Sequence, residues 1–171
     1  MKDILGNKLI TVKTIVDENF QDYKSASMFL AMPNCDFKCF HELNLDPSGC
    51  QNSEIAKMPN LKISIKNIFQ RYIQNPITKA IIFGGLEPFL NFDEVLDCAS
   101  YFRLNSYLDD IIIYTGYYPH EIEEKILKLK KLKNIIIKFG RFIPNSKSKF
   151  DDILGICLAS DNQFSCLISE L

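Results

Sequence analysis

Cys35, Cys39 and Cys50 are the residues of this chain best suited to chemistry. The first two are four apart, and ten residues separate the second from the third. All three come just after an apolar run, Met28 to Met32, that reads as a strand stopped by Pro33. Thiolates are ligands for zinc and for iron–sulfur clusters, so three on one strand-following loop point to a metal or cluster site. His41 is close by and is a candidate fourth ligand. With it, Cys35, Cys39, His41 and Cys50 would make a Cys3His zinc site, which a non-catalytic binding module would use for stability. The other cysteines have a plainer reading. Cys98 falls in a helical pattern and Cys157 in a strand pattern, where free cysteine acts as a small buried hydrophobe, and Cys166 sits in the tail.

The elements that must hold this loop follow from periodicity. Leu9 to Val16, LITVKTIV, reads as one strand, and Asp17 to Ser27 as polar and irregular. Residues 34–59 read as a long loop whose Gly, Pro and Asn content excludes regular structure over most of it. Ser64 caps a helix in which Ile65, Ile68, Phe69, Tyr72 and Ile73 share one face, and Asn75-Pro76 ends it. Lys79 to Phe83 is a short buried strand. A helix starts at Asn91 or Asp93, with Phe92, Val95, Leu96, Ala99 and Phe102 inward. Asp110 to Tyr114 is the next strand. Pro119 then opens a helix with Ile122, Ile126 and Leu129 inside and the Lys125 to Lys133 run as its solvated face. Asn134 to Phe139 is a further strand, Gly155 to Ala159 the last one, and the chain from Ser160 on is polar and irregular.

Strands that are apolar throughout are buried on both faces, which requires a parallel sheet with helices outside. The expected fold is α/β, a partial (β/α) barrel or open curved parallel sheet of five or six strands, in a single domain over residues 1–171. A closed eight-unit barrel needs about 200 to 250 residues. The composition, 47% hydrophobic and 24% charged, is that of a globular protein, and a net charge of -1 gives no basic face for nucleic acid. No apolar run approaches the roughly 20 residues of a membrane span. The N-terminal MKDILGNKLI lacks the apolar core of a secretory signal, so a cytoplasmic location without disulfides is expected.

Four of the seven glycines, Gly84, Gly85, Gly116 and Gly140, follow or nearly follow apolar strands. In parallel α/β folds the ligand lies at the carboxyl ends of the strands. The segments GGLEP, YTGY and FGRF would therefore open on the same rim as the cysteine loop. Glycine there either makes a turn or lets the backbone approach a ligand and present N–H groups to a carboxylate or phosphate.

Together, the cysteine loop, GGLEP and YTGY resemble the radical S-adenosylmethionine (SAM) superfamily, and within it the activating proteins of anaerobic ribonucleotide reductase. The resemblance runs from about Met28 to Phe142. It implies that Cys35, Cys39 and Cys50 hold three irons of a [4Fe–4S] cluster whose fourth iron takes the amino and carboxylate groups of SAM. It implies that Gln51 and Asn52, beside the last cysteine, and Gly84, Gly85, Glu87 and Pro88, similar to a GGEP motif, line the cofactor site. Thr115 and Gly116 of YTGY join them, and Gly140-Arg141-Phe142 resembles a later strand end. Phe37 and Tyr117 are candidates to pack on adenine. The implied partners are a glycyl radical enzyme such as the anaerobic reductase and a reductant such as flavodoxin or ferredoxin. No general acid or base stands out. Two departures exist: Glu42 stands where the family has its third cysteine, and Leu86 is inserted before Glu87. A protein that holds a cluster for electron transfer alone is a further reading of the same residues.

Overall fold

The computed structural model describes residues 2–171. In chain order the elements are α1 (Lys2–Asn7), β1 (Leu9–Val12), β2 (Thr14–Asn19), β3 (Ser27–Ala31), α2 (Lys38–His41), α3 (Ser53–Lys57), β4 (Leu61–Ser64), α4 (Ile65–Gln74), β5 (Ala80–Gly84), α5 (Phe92–Leu104), β6 (Asp110–Tyr114), α6 (Glu123–Leu129), β7 (Ile135–Phe139), β8 (Lys149–Asp151), β9 (Ile156–Leu158) and β10 (Phe164–Leu167). A six-stranded sheet in the order β10-β7-β6-β5-β3-β2 forms the centre. Its four inner strands are parallel, and both edge strands run antiparallel to their neighbours. The sheet is open, as the apolar strands lead one to expect.

The inner strands are apolar throughout because both faces are covered. On one face Met28, Leu30, Ile81, Phe83, Ile111, Ile113, Ile135 and Ile137 pack against α4, α5 and α6. Ser64 caps α4 by accepting a hydrogen bond from the Asn67 amide at 3.2 Å. On the other face Ala80, Ile82, Ile112 and Ile136 are covered by Tyr23, Leu154 and Leu158, the last two from the β8–β9 hairpin and its turn. These strand residues lie at the start or the middle of their strands. Toward the carboxyl ends, where Tyr114 and Lys138 stand, and beside Phe29 in the middle of β3, that face opens into a cavity.

Several expectations are corrected. Leu9 to Val16 is two strands: the chain changes partner at Lys13, with β1 pairing β4 and β2 pairing β3. The buried Lys13 marks the change, its amide donating to the Ala31 carbonyl at 2.7 Å and its Nζ to the Met58 carbonyl at 2.7 Å. The cysteine loop contains α2, a 3-10 turn at Pro47–Gly49 and α3, because local carboxylate and backbone caps such as Asp46 stabilise single turns. Ile73, in the last turn of α4, is exposed. β9 pairs with β8 outside the central sheet, and the segment after Ser160 supplies the edge strand β10. Cys157 is exposed, whereas Cys98 is fully buried as expected, and among the described residues no two cysteines are joined in a disulfide. Among the described residues no helix is long and apolar enough to cross a membrane.

Candidate functional site

The loop after β3 folds back over the carboxyl ends of the parallel strands because Pro33 and the left-handed Phe37 (φ 52°) turn it there. A cavity of about 570 Å³ lies beneath it. Cys35, Cys39 and Cys50 all line this cavity, together with Gln51, Asn52, Gly85, Glu87, Thr115 and Gly116. Gly84 does not: it is the last residue of β5, and its open side faces the Phe29 ring. Gly85, at φ +74°, is the glycine that reaches the cavity. Pro88 is buried at the start of a 3-10 turn and does not line the cavity either. His41 is exposed and lies outside the wall, as does Phe37, so a Cys3His set is not brought together. Tyr117 lines the cavity and donates its hydroxyl to Asp36 at 2.6 Å.

Each of the three sulfurs accepts one backbone N–H. Phe37 donates to Cys35 at 3.3 Å, Phe142 to Cys39 at 3.4 Å and Asn52 to Cys50 at 3.4 Å. Amide donors favour thiolate and tune the potential of a bound cluster. Burial opposes this. It pushes the Cys35 thiol up to about 12 against the Phe37 amide, and it raises Cys39 against the Phe142 amide and the charges of Lys138 and Arg141. Thiols held in a dry wall with amides already aimed at them become low-cost thiolates once a cation arrives. The approach is close: a Cβ on Gly116 would stand 3.2 Å from the Cys39 sulfur. Among the described residues no three His, Cys, Asp or Glu side chains meet tightly enough to hold one metal ion. The thiols border a shared space, as a cluster with one thiolate per iron requires.

These residues fit a cubane cluster. The family model of the 4Fe-4S single cluster domain matches residues 26–163. The chain belongs to this family. It is therefore a [4Fe–4S] cluster-binding domain, and the match runs from the strand before the cysteine loop almost to β10. A comparison with curated proteins gives no significant match.

Around the cluster domain's thiols, two charged groups fasten the rim. Glu87 is 5% exposed and accepts from the Thr115 hydroxyl at 2.8 Å, the Gly116 amide at 2.9 Å and the Phe89 amide at 3.0 Å. It thus locks GGLEP to YTGY. Burial pushes its carboxyl up to about 7, although these three donors pull the other way. Arg141 donates to Glu42, to Glu121 and to the Gly116 carbonyl, joining the cysteine loop to the ends of β6 and β7. The Arg141 guanidinium holds the Glu121 carboxyl down to about 2.

Lys138 is a lining residue that sequence reasoning did not single out as a site residue. Its signal was a charge inside the otherwise apolar strand Ile135–Phe139.

Proposed function

We propose that this cluster domain is a radical SAM protein of the activating type, which reductively cleaves SAM and places a radical on a partner protein. The observation that supports it is the meeting of Cys35, Cys39 and Cys50, each with an amide donor, and the GGLEP and YTGY loops on one cavity wall. When bound, the reduced cluster supplies one electron to the sulfonium of SAM, giving methionine and a 5′-deoxyadenosyl radical.

The chain's own residues supply position and dryness. Cys35, Cys39 and Cys50 would hold three of the four irons of the cluster. Gly85 and Gly116 let the methionine moiety lie against backbone, beside Gln51, Asn52 and Thr115. A carboxylate offers about four lone-pair positions, and Glu87 spends three on internal donors, leaving one for the methionine ammonium. The partner proposed is a glycyl radical enzyme such as anaerobic ribonucleotide reductase, with flavodoxin or ferredoxin as the electron source.

The test is anaerobic. The purified protein is reconstituted, its iron and sulfide are counted, and it is reduced with dithionite in the presence of SAM. Methionine and 5′-deoxyadenosine in equal amounts are expected. A cluster that forms, takes an electron and gives neither product would make the protein an electron carrier.

A further inference from the structure

Gly84 and Gly85 leave room for a ring. A Cβ on Gly84 would stand 3.1 Å from Cε2 of Phe29 and 3.4 Å from the Cβ of Tyr114, and one on Gly85 would stand 3.7 Å from Cε1 of Phe29. Phe29 and Tyr114 come from β3 and β6, the two neighbours of β5, and both line the cavity. Asp22 lines it too, from the loop after β2. The Tyr114 hydroxyl donates to the Asp22 carbonyl at 2.5 Å, and the Asp22 amide donates to Asn19 Oδ1 at 3.1 Å, so the residue is held from both sides. Its carboxylate accepts one hydrogen bond, from Asn19 Nδ2 to Oδ2 at 2.8 Å. Among the described residues it has no ion pair. Lys24, two residues on, carries its Nζ over the Tyr23 ring at 5.4 Å instead. Lys138 Nζ is 5.8 Å from the Tyr114 ring, yet burial and the Asn19 hydrogen bond are what act on the Asp22 carboxyl, with no cation among the causes. The Asp22 charge does reach Tyr114, where it adds to burial in raising the phenol.

A carboxylate offers about four lone-pair positions, and Asp22 spends one of them on Asn19. A partly desolvated carboxylate with no cation costs the fold stability that a neutral side chain would not. Aromatic faces attract cations through the ring quadrupole, more strongly where water is excluded. We propose that Asp22, Phe29 and Tyr114 form a subsite for an organic cation, a guanidinium or ammonium group carried by the second substrate. The rings take the face and the methylenes of a basic side chain, and the carboxylate takes its N–H groups. The cation site stands on its own geometry. The identity of the carrier rests on the function proposed above: the polypeptide that receives the radical is selected by a basic residue close to its accepting position. The sulfonium of SAM is the other source of an organic cation in this cavity.

Tyrosine labelled with 13C in the ring gives an NMR signal for Tyr114, identified by its loss in Tyr114→Phe. In the oxidised, cluster-loaded protein, N-acetyl-arginine amide should move this signal saturably. N-acetyl-citrulline amide, of the same shape without the charge, should not. Asp22→Asn, whose amide oxygen can still accept from Asn19, should weaken the response about tenfold or more, with unchanged iron content. Phe29→Leu, which removes one ring and keeps the carboxylate, should weaken it as well and replaces Asp22→Asn if the latter does not fold. A signal that ignores the arginine compound, follows the citrulline compound as far, or responds in the variant as in the wild type overturns the site. SAM leaving the arginine response in place assigns the cation to the second substrate. SAM abolishing the response where S-adenosylhomocysteine does not assigns it to the sulfonium. Both abolishing it alike would make this a place for adenine and overturn the cation site. SAM cleavage measured on the same samples reports on the proposed function separately, so either idea can fail alone.

Discussion

Arg141 grips Glu42 with two hydrogen bonds, Nε to Oε2 at 3.0 Å and Nη2 to Oε1 at 2.8 Å. Glu42 occupies the position at which the resembled activating proteins carry a third cysteine. Here its carboxylate is drawn to the end of β7 and does not line the cavity, while Cys50, eight residues later, does. The second face of the same guanidinium binds Glu121 at 2.7 Å, and Lys38 joins that carboxylate at 3.2 Å. The loop is thus anchored at this point by an ion pair.

The two ends of this anchor differ in burial, which sets the expected costs. The Glu42 side chain is 52% exposed and the Arg141 side chain 7%. Glu42→Gln should cost about 0.2–1 kcal/mol, the range of screened surface pairs. Arg141→Met should cost more, about 1–3 kcal/mol, because it also takes a donor from the Gly116 carbonyl and from Glu121, which keeps Lys38 and the Tyr118 amide. Urea denaturation of the two variants measures both. Equal losses would mean that the Glu121 side of the network contributes nothing.

Cys35→Ala, Cys39→Ala and Cys50→Ala should each abolish the broad visible absorption of the reconstituted protein. Cys98→Ala and Cys166→Ala should keep it, and so should Cys157→Ala, although the exposed Cys157 also lines the cavity. Retention of the absorption in Cys50→Ala would remove Cys50 from the ligand set.

Gly116→Ala should lower cluster occupancy with little change in the fold. Its new Cβ would sit 3.2 Å from the Cys39 sulfur and 3.7 Å from Glu87 Oε2, so the thiol must give way. Iron per chain after reconstitution is the readout, with circular dichroism as the control. Full occupancy would show that Cys39 has room to move.

Glu87→Gln should weaken SAM binding about ten- to a hundredfold, as the loss of one charge-assisted hydrogen bond would, while the cluster spectrum survives. Calorimetry with wild type and variant decides it. Equal affinities would leave Glu87 as the fastener of Thr115 and Gly116 alone.

Acid sensitivity should trace partly to Glu121. Arg141 holds its carboxyl at about 2, below the ordinary 4.5, so the folded state binds a proton less readily than the unfolded one. The resulting stabilisation is complete above pH 4.5, shrinks below it and is gone once pH passes about 2. Denaturation of wild type and Glu121→Gln at pH 6, 4 and 3 should show a gap that narrows with acid. A gap independent of pH would assign the loss to packing.

Much of the fold was legible because it rests on local pattern. Runs such as Ala80–Phe83 and Ile111–Ile113 are apolar at every position, which only a sheet covered on both faces tolerates. Glycines after those strands and cysteines after Met28 to Met32 then fell on one rim by the geometry of parallel strands alone. The tertiary structure decided what depends on distant partners. Glu42 and Arg141 are 99 residues apart, and nothing near either one announces the pair. The split at Lys13 depends on which strand each half meets, and the exposure of Cys157 on the β8–β9 hairpin lying outside the central sheet. Side-chain period is set by the backbone of each strand, whereas the choice of neighbour is set by packing between elements, and only the assembled sheet shows that Lys138 ends in the cavity wall.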